Sequence, residues 1–326
     1  MKISRRNAIL SVGALSFGAS WPSHANTWPT EPLKMVIGNP PGGAADMMAR
    51  ALAPVVQKQL GQPLIMDYRP GAGGSIAAAA VARSSADGYL LYLADSGGMS
   101  IIPHLRPVGY DPVSSFTPIS AIGSSGLVLL VNPQLPVTDI PSLVRLLKEK
   151  PDNYTYSSSG LGSPHHLSAE LLKQMTGTQM RHIPYRGAAP ALTDLMAGVV
   201  HLGFATIGSA LQHIQSGKVR AIGVTSPQRS PSLPQVPTIV EQGIAGFDAT
   251  FWFAIVEPPN LPKAIASRLQ LAFATGLRDK EVVASIERIG AENVGPQTPA
   301  AVTQLLREDL AKWGRVIRTA NIKLEG

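Results

Sequence analysis

Cysteine is absent from this chain. No disulfide can brace it, no thiolate can act as nucleophile or metal ligand, and no lipoprotein anchor can form. Charge is sparse, at 15% of residues, and aromatic residues make up 6%. No run of Lys and Arg with interleaved aromatics occurs, which argues against a nucleic-acid partner. No GxGxxG fingerprint and no Walker lysine follow the glycine-rich turns, which argues against a bound nucleotide. His165 and His166 are adjacent, so they leave a helix on different faces, and no acid cluster joins them; no metal site is expected. The serines at 157–159 and 163 lack the G-x-S-x-G elbow, so neither catalysis nor a cofactor is expected.

What is present begins with an export signal. Lys2, Arg5 and Arg6 form a positive n-region, residues 8–19 an apolar core, and Ser23-His24-Ala25 a small-x-small cleavage site. Residues 1–25 are read as a signal peptide. The core is too short to span a bilayer, and no later stretch reaches that length. The Arg5-Arg6 pair resembles a twin-arginine signal, and a Sec route stays open. The expected location is the periplasm. The 28 basic and 21 acidic residues give +7. Three of the basic residues leave with the signal, so the mature chain keeps +4, a mild positive balance suited to an anionic solute.

The chain is organised around residues 33–50, LKMVIGNPPGGAADMMAR. Residues 33–37 are apolar at nearly every position, as in a parallel strand covered on both faces. Pro40 and Pro41 stop the ladder, and Gly42 and Gly43 let the backbone pass close to a ligand. A helix starts near Ala44, with Met47, Met48, Ala51, Leu52 and Val55 expected on its inner side. Its N-terminus leaves N–H groups unpaired and carries partial positive charge, so the turn suits an anion, and a carboxylate better than a nucleotide.

The theme repeats. Strands at 64–68 and 89–94 run into RPGAGG and DSGGMS, which places Ser96 on a third glycine-rich rim. In an open parallel sheet such loops share the carboxyl edge, where ligands collect. Strands at 116–122 and 127–131 and a helix at 140–148, capped by Thr138 or Asp139, follow. A second series then opens with SSSGLGSPHHLSAELL at 157–172, with Ser163 as N-cap and Pro164 at N1. Strands at 181–184, 202–205 and 219–224 alternate with helices, and three helices close the chain after a long strand at 247–256. Two α/β domains facing across a cleft is the economical reading. The strands near 126–131 and 247–256 are the expected crossings, and such a pair makes a hinge. The domains are read as 30–126 plus 253–326, and 127–252.

IGNPPGGAADMMAR, DYRPGAGG, SSSGLGSPHHLSAEL, PYRGAAPALTDLMAG, RAIGVTSPQRSPSLPQVPTIVEQG and Trp313-Gly314 resemble the Bug receptors. These are the periplasmic solute-binding components of tripartite tricarboxylate transporters. The likeness runs from about Pro32 to Ile322. It implies a two-domain periplasmic-binding-protein type II fold, a Venus flytrap with a two-strand hinge. It also implies a small carboxylate ligand (dicarboxylate or tricarboxylate, amino acid or aromatic acid) and membrane subunits that take it onward. Carried over by motif, the ligand contacts are Pro41, Gly42, Gly43 and Asp46 in one domain, and Ser158, Gly160, Gly162, Ser163 and His166 in the other. By analogy of fold, the receptor is expected to be a monomer.

Four positions depart from the family pattern. Asn39 stands where an aromatic residue is common, Tyr68 where Asn is, Ala188 where Ser is, and Ala205-Thr206 where an Asp often follows the strand. Asn39 and Ala205 therefore join the candidate contacts. The far end of the pocket is expected to be less polar than in receptors for amino acids. Arg186 is the charged candidate, because a guanidinium grips a carboxylate in two places. Asp46, in a first helical turn, is expected to order the glycine turn or a bound water. Two alternatives stay open: an exported hydrolase or transferase using the Ser/His-rich rim, and a sensor domain reporting a solute to a signalling partner.

Overall fold

The structure is a computed structural model, and it describes residues 28–324. The signal peptide assigned to residues 1–25 lies outside the described residues. The first lobe opens with β1 (Leu33–Ile37), α1 (Ala44–Leu60), β2 (Leu64–Tyr68), α2 (Ser75–Ala82), β3 (Leu90–Asp95), α3 (Ile102–Leu105) and β4 (Thr117–Ser125). The second is built from β5 (Leu127–Val131), α4 (Ile140–Glu149), β6 (Thr155–Ser158), α5 (Pro164–Thr176), β7 (Arg181–Pro184), α6 (Ala188–Ala197), β8 (Leu202–Thr206), α7 (Ile207–Gln215) and β9 (Arg220–Val224). The chain returns through β10 (Phe251–Glu257) to α8 (Lys263–Gly276), α9 (Lys280–Arg288) and α10 (Pro299–Thr319).

Each lobe holds one five-stranded sheet, ordered β2-β1-β3-β10-β4 and β7-β6-β8-β5-β9. In the first, β1 runs parallel to β2 and β3, and β10 lies antiparallel between β3 and β4. The second repeats this pattern with β5 as the antiparallel member. The two sheets thus exchange a strand's worth of chain. β4 passes into β5 through the single residue Gly126, and β10 brings the chain back.

Alternation along the strands fills a core on each face. Leu127, Leu129 and Val131 of β5 pack toward α4 and α5, while Val128 and Leu130 pack toward α6 and α7. In β1, Met35 and Ile37 face α1, and Val36 faces α2. Helix α10 belongs to both lobes. Val302 and Leu306 join Val36 and Ala77, whereas Trp313, Val316 and Ile317 join Leu129 and Leu172. A boundary that gives residues 253–326 to one domain does not anticipate this shared helix.

Three local expectations change. Met47 is 45% exposed, and Asp46 is buried in its place, because a polar network rather than an apolar neighbour receives that helix face. The crossing strand begins at Phe251 rather than residue 247. Residues after Ser96 wind into a wide helical turn, Gly97–Ile101, that leads straight into α3.

The crossing segments are tied by Thr225, which is fully buried. Its hydroxyl accepts from the Leu127 N–H at 2.7 Å and donates to the Ala249 carbonyl at 3.0 Å. Its backbone carbonyl accepts from Ala249 and its N–H donates to Leu127. One side chain therefore links the outgoing strand β5 to the segment that leads into β10.

Candidate functional site

The glycine-rich rims of both lobes line one cavity of about 1230 Å³. The first lobe contributes residues 39–45, Ala72, Gly73, residues 95–97 and Arg106. The second contributes residues 159–165 and 187–189, and Phe251 and Phe253 of the hinge strand form the floor. At the contact between rims, Gly162 holds φ +72°, a conformation that favours glycine, and a Cβ there would stand 2.6 Å from the end of the Leu105 side chain of α3.

In the first rim, Gly43 is the N-cap of α1 and no side chain caps the helix. The first amides of α1 are left for a ligand or water. Gly42, at φ +88°, turns its own N–H back to the Asp46 carboxylate at 2.8 Å. That carboxylate also accepts from Arg50 Nε at 2.7 Å and Tyr68 Oη at 2.6 Å. Burial alone would raise its pKa, but the bonds from Tyr68, Gly42 and Arg50 outweigh it and hold Asp46 below the usual carboxylate range. Tyr68, a departure from the family pattern, thus has a defined place behind the turn. Asn39 donates to Asp95 at 2.5 Å, and Asp95 also accepts from the Gly98 N–H. Burial raises the Asp95 pKa despite these bonds.

The second rim satisfies most of its own amides. Gly160 N–H donates to Ser158 Oγ at 3.2 Å, Gly162 N–H to His166 Nδ1 at 3.0 Å, and His166 N–H to Ser163 Oγ at 3.3 Å. Behind the loop, His166 stacks on His182, which stacks on Tyr156. His182 Nε2 meets Ser158 Oγ at 2.7 Å. Burial, reinforced by Lys173, lowers His166 to about 4; burial and His166 lower His182 to about 3. Both rings are neutral at pH 7. The free donors that this lobe turns toward the cleft lie instead at α6, whose N-cap Gly187 has φ +120° and no capping side chain. Ala188 and Ala189 of its first turn line the cavity.

The candidate residues therefore divide. Asn39, Pro41, Gly42, Gly43, Ser96, Gly160, Gly162 and Ser163 line the cavity. Ser96 is also a strut, accepting the Trp252 N–H at 2.9 Å. Asp46, Ser158 and His166 stand one layer behind, where they hold the rims in shape. Arg186 is exposed and off the cavity wall. Ala205 lines an adjoining cavity inside the second lobe. Arg106 and Asp95, which the sequence did not mark, line the cleft, as do His165 and the α6 turn, which were not among the expected contacts. The Gly187-Ala188-Ala189 run carried a readable signal, a glycine before a helix without a capping hydroxyl; Arg106 carried none.

Ser159 Oγ and His165 Nδ1 are 2.7 Å apart, but His165 Nε2 has no partner, so no carboxylate orients the ring as in a hydrolase. Among the described residues no cluster of His, Asp and Glu could hold a metal ion, and no helix is long and apolar enough to cross a membrane.

Residues 48–322 match the Tripartite tricarboxylate transporter family receptor. The chain belongs to that family. Its members are receptors, and this receptor is a periplasmic solute-binding protein rather than an enzyme. It is 35% identical to protein BugT of Bordetella pertussis over the full length of both chains. Among solved structures it is similar to R. palustris Rpa4515 with adipate, at 35% identity and TM-score 0.78 over 91% of this chain and 99% of that one. It is also similar to MatC of Rhodopseudomonas palustris with bound malate, at 29% identity and TM-score 0.75 over 89% and 100%. These relatives share the bilobed type II binding-protein fold, with a lobe on either side of a cleft.

Proposed function

We propose that this receptor captures a small organic carboxylate between its lobes and passes it, as a monomer, to the membrane subunits of a tripartite transporter. One observation carries the reading: two helix N-termini without capping side chains, α1 and α6, open from opposite lobes into one cavity. Each contributes unpaired amides and partial positive charge. Closing the lobes removes water and strengthens those contacts. Arg106 adds a cation at the rim. The relatives solved with adipate and malate support the ligand class. Asn39, Pro41, Gly42, Gly43, Ser96, Gly160, Gly162 and Ser163 are proposed as the cleft wall around the acid. Asp46, Ser158 and His166 are proposed to act by holding that wall. Export follows from the signal at residues 1–25, by the twin-arginine or the Sec route.

The test is a thermal-shift screen of mono-, di- and tricarboxylates, followed by calorimetry on the acids that stabilise. Stabilisation by carboxylates, and not by their amides, is the expected result. A flat response to every acid, with no acid found by mass spectrometry in the purified protein, would sink the reading.

A further inference from the structure

Beside the hinge the two lobes touch main chain to main chain. Gly208, in the first turn of α7, belongs to the second lobe, and Gly290, just past α9, belongs to the first. A Cβ on Gly208 would stand 3.0 Å from the Ile289 carbonyl oxygen. A Cβ on Gly290 would stand 3.1 Å from the Gly208 nitrogen and 3.2 Å from the Ile207 Cβ. The rim contact at Gly162 is of another kind, since what lies above it is the ends of the Leu105 and Leu324 side chains, which can swing aside. Backbone pressed on backbone cannot give in that way.

Each glycine is carried by a well-anchored part of its own lobe. Thr206, the N-cap of α7, pairs with Leu127 at the start of β5, and Ile207 and Ala210 are buried in one core with Val128 and Val224. On the other side, Glu292 exchanges two backbone hydrogen bonds with Ser124 of β4, and Ile286 and Ala291 are buried in the core of the first lobe. The chain crosses between these anchors at Gly126. Among the described residues no backbone hydrogen bond joins residues 207–209 to residues 289–290, so the contact can part while both anchors hold. It is attractive when made. The Ile289 carbonyl ends α9, where partial negative charge collects, and α7 opens with partial positive charge and no capping side chain.

We propose that Gly208 and Gly290 form the stop of the hinge, the seat on which the lobes come to rest when the cleft closes. The lack of a side chain at Gly208 then sets how near the α1 and α6 N-termini approach one another. The stop itself rests on the two-lobe fold; its link to affinity rests on the reading of the cleft as a carboxylate site.

Gly208 lies outside the left-handed region, so Ala or Val adds no backbone strain there, and Ala favours the helix. The chain has no cysteine, so Met47→Cys on α1 and Thr193→Cys on α6, both at exposed positions, take spin labels that report the separation of the lobes. Double electron–electron resonance is measured on the mature receptor with and without adipate. Gly208→Val is expected to shift the distances outward and Gly208→Ala to do so less, with far-UV circular dichroism unchanged. Should the Val variant fail to fold, the Ala variant carries the test. Calorimetry is expected to show adipate bound at least ten-fold more weakly by Gly208→Val. Distances that coincide with the parent's or shorten, with and without adipate, would overturn the stop, as would adipate affinity kept in full by the Val variant. Should the variants open the lobes while no acid in the wider screen binds the parent, the stop stands and the carboxylate reading falls.

Discussion

His166 and His182 lie ring on ring, centroids 3.9 Å apart and 6° from parallel. The first accepts the Gly162 amide and the second meets Ser158, so the stack supports the loop that faces the cleft. Two imidazolium rings at that distance would repel, and burial opposes the charge on each. Their folded values lie near 4 and 3, below the 6.5 of a free histidine.

The pH dependence follows from the sign of that shift. Between pH 6.5 and about 4 the unfolded chain binds protons that the folded chain refuses, so stability falls as pH drops through this window. For His166 alone the slope approaches about 1.4 kcal/mol per pH unit. Urea unfolding at pH 7.5, 5.5 and 4.5 measures it. His166→Phe should reduce the slope by the His166 share while His165 and His182 keep theirs; an unchanged slope would show that His166 is not a source of it.

Gly43 separates binding from folding. Its φ of −83° suits any residue, and a Cβ there meets nothing closer than 3.7 Å. Gly43→Asn places a side-chain oxygen at the N-cap, where it takes the amides proposed for the ligand. Melting temperature should hold or rise slightly, the gain being a few tenths of a kcal/mol. Carboxylate affinity should fall at least ten-fold. Full affinity in calorimetry would mean that the α1 amides do not hold the acid.

Thr225 is the strut between β5 and the segment leading into β10. Thr225→Val keeps its shape and removes the hydroxyl, leaving the Leu127 donor without that acceptor. Denaturant unfolding should show a loss of about 1–3 kcal/mol, and Thr225→Ser should restore most of it. Equal stability of the Val variant would assign the hinge to packing alone.

Glu257 of β10 is fully buried, and neither carboxylate oxygen has a partner. Burial, with Asp87 nearby, pushes it up to about 9, so the folded chain keeps this proton at pH 7. Its contribution is intact below about pH 4.5 and is lost progressively as pH rises toward 9, the reverse of the histidines. Glu257→Gln cannot ionise, so its stability relative to the parent should grow between pH 5 and 8. A constant difference across that range would place the ionised carboxylate in the fold.

Much of the architecture was legible because local chemistry writes it. Residues 33–37, apolar and bounded by prolines, fall on β1, and Asp139 and Ser163 cap α4 and α5 through their own side chains. Signals of this kind act within a few residues, so composition and spacing reveal them. The glycine-rich rims were legible for the same reason, as was the existence of two lobes with short crossings.

What the chain's order could not decide is where each N–H finds its acceptor. Gly42, Gly160 and Gly162 looked like free donors, yet Asp46, Ser158 and His166 fold back to claim them. The free amides sit at Gly43–Ala44 and at α6, and Arg106 rather than Arg186 reaches the cleft. The residue sequence by itself determined the elements, the turns and the family. Only tertiary structure decided which polar groups are spent on the protein and which remain for a ligand, because a hydrogen bond depends on atoms meeting within about 3 Å, and that proximity is made by packing.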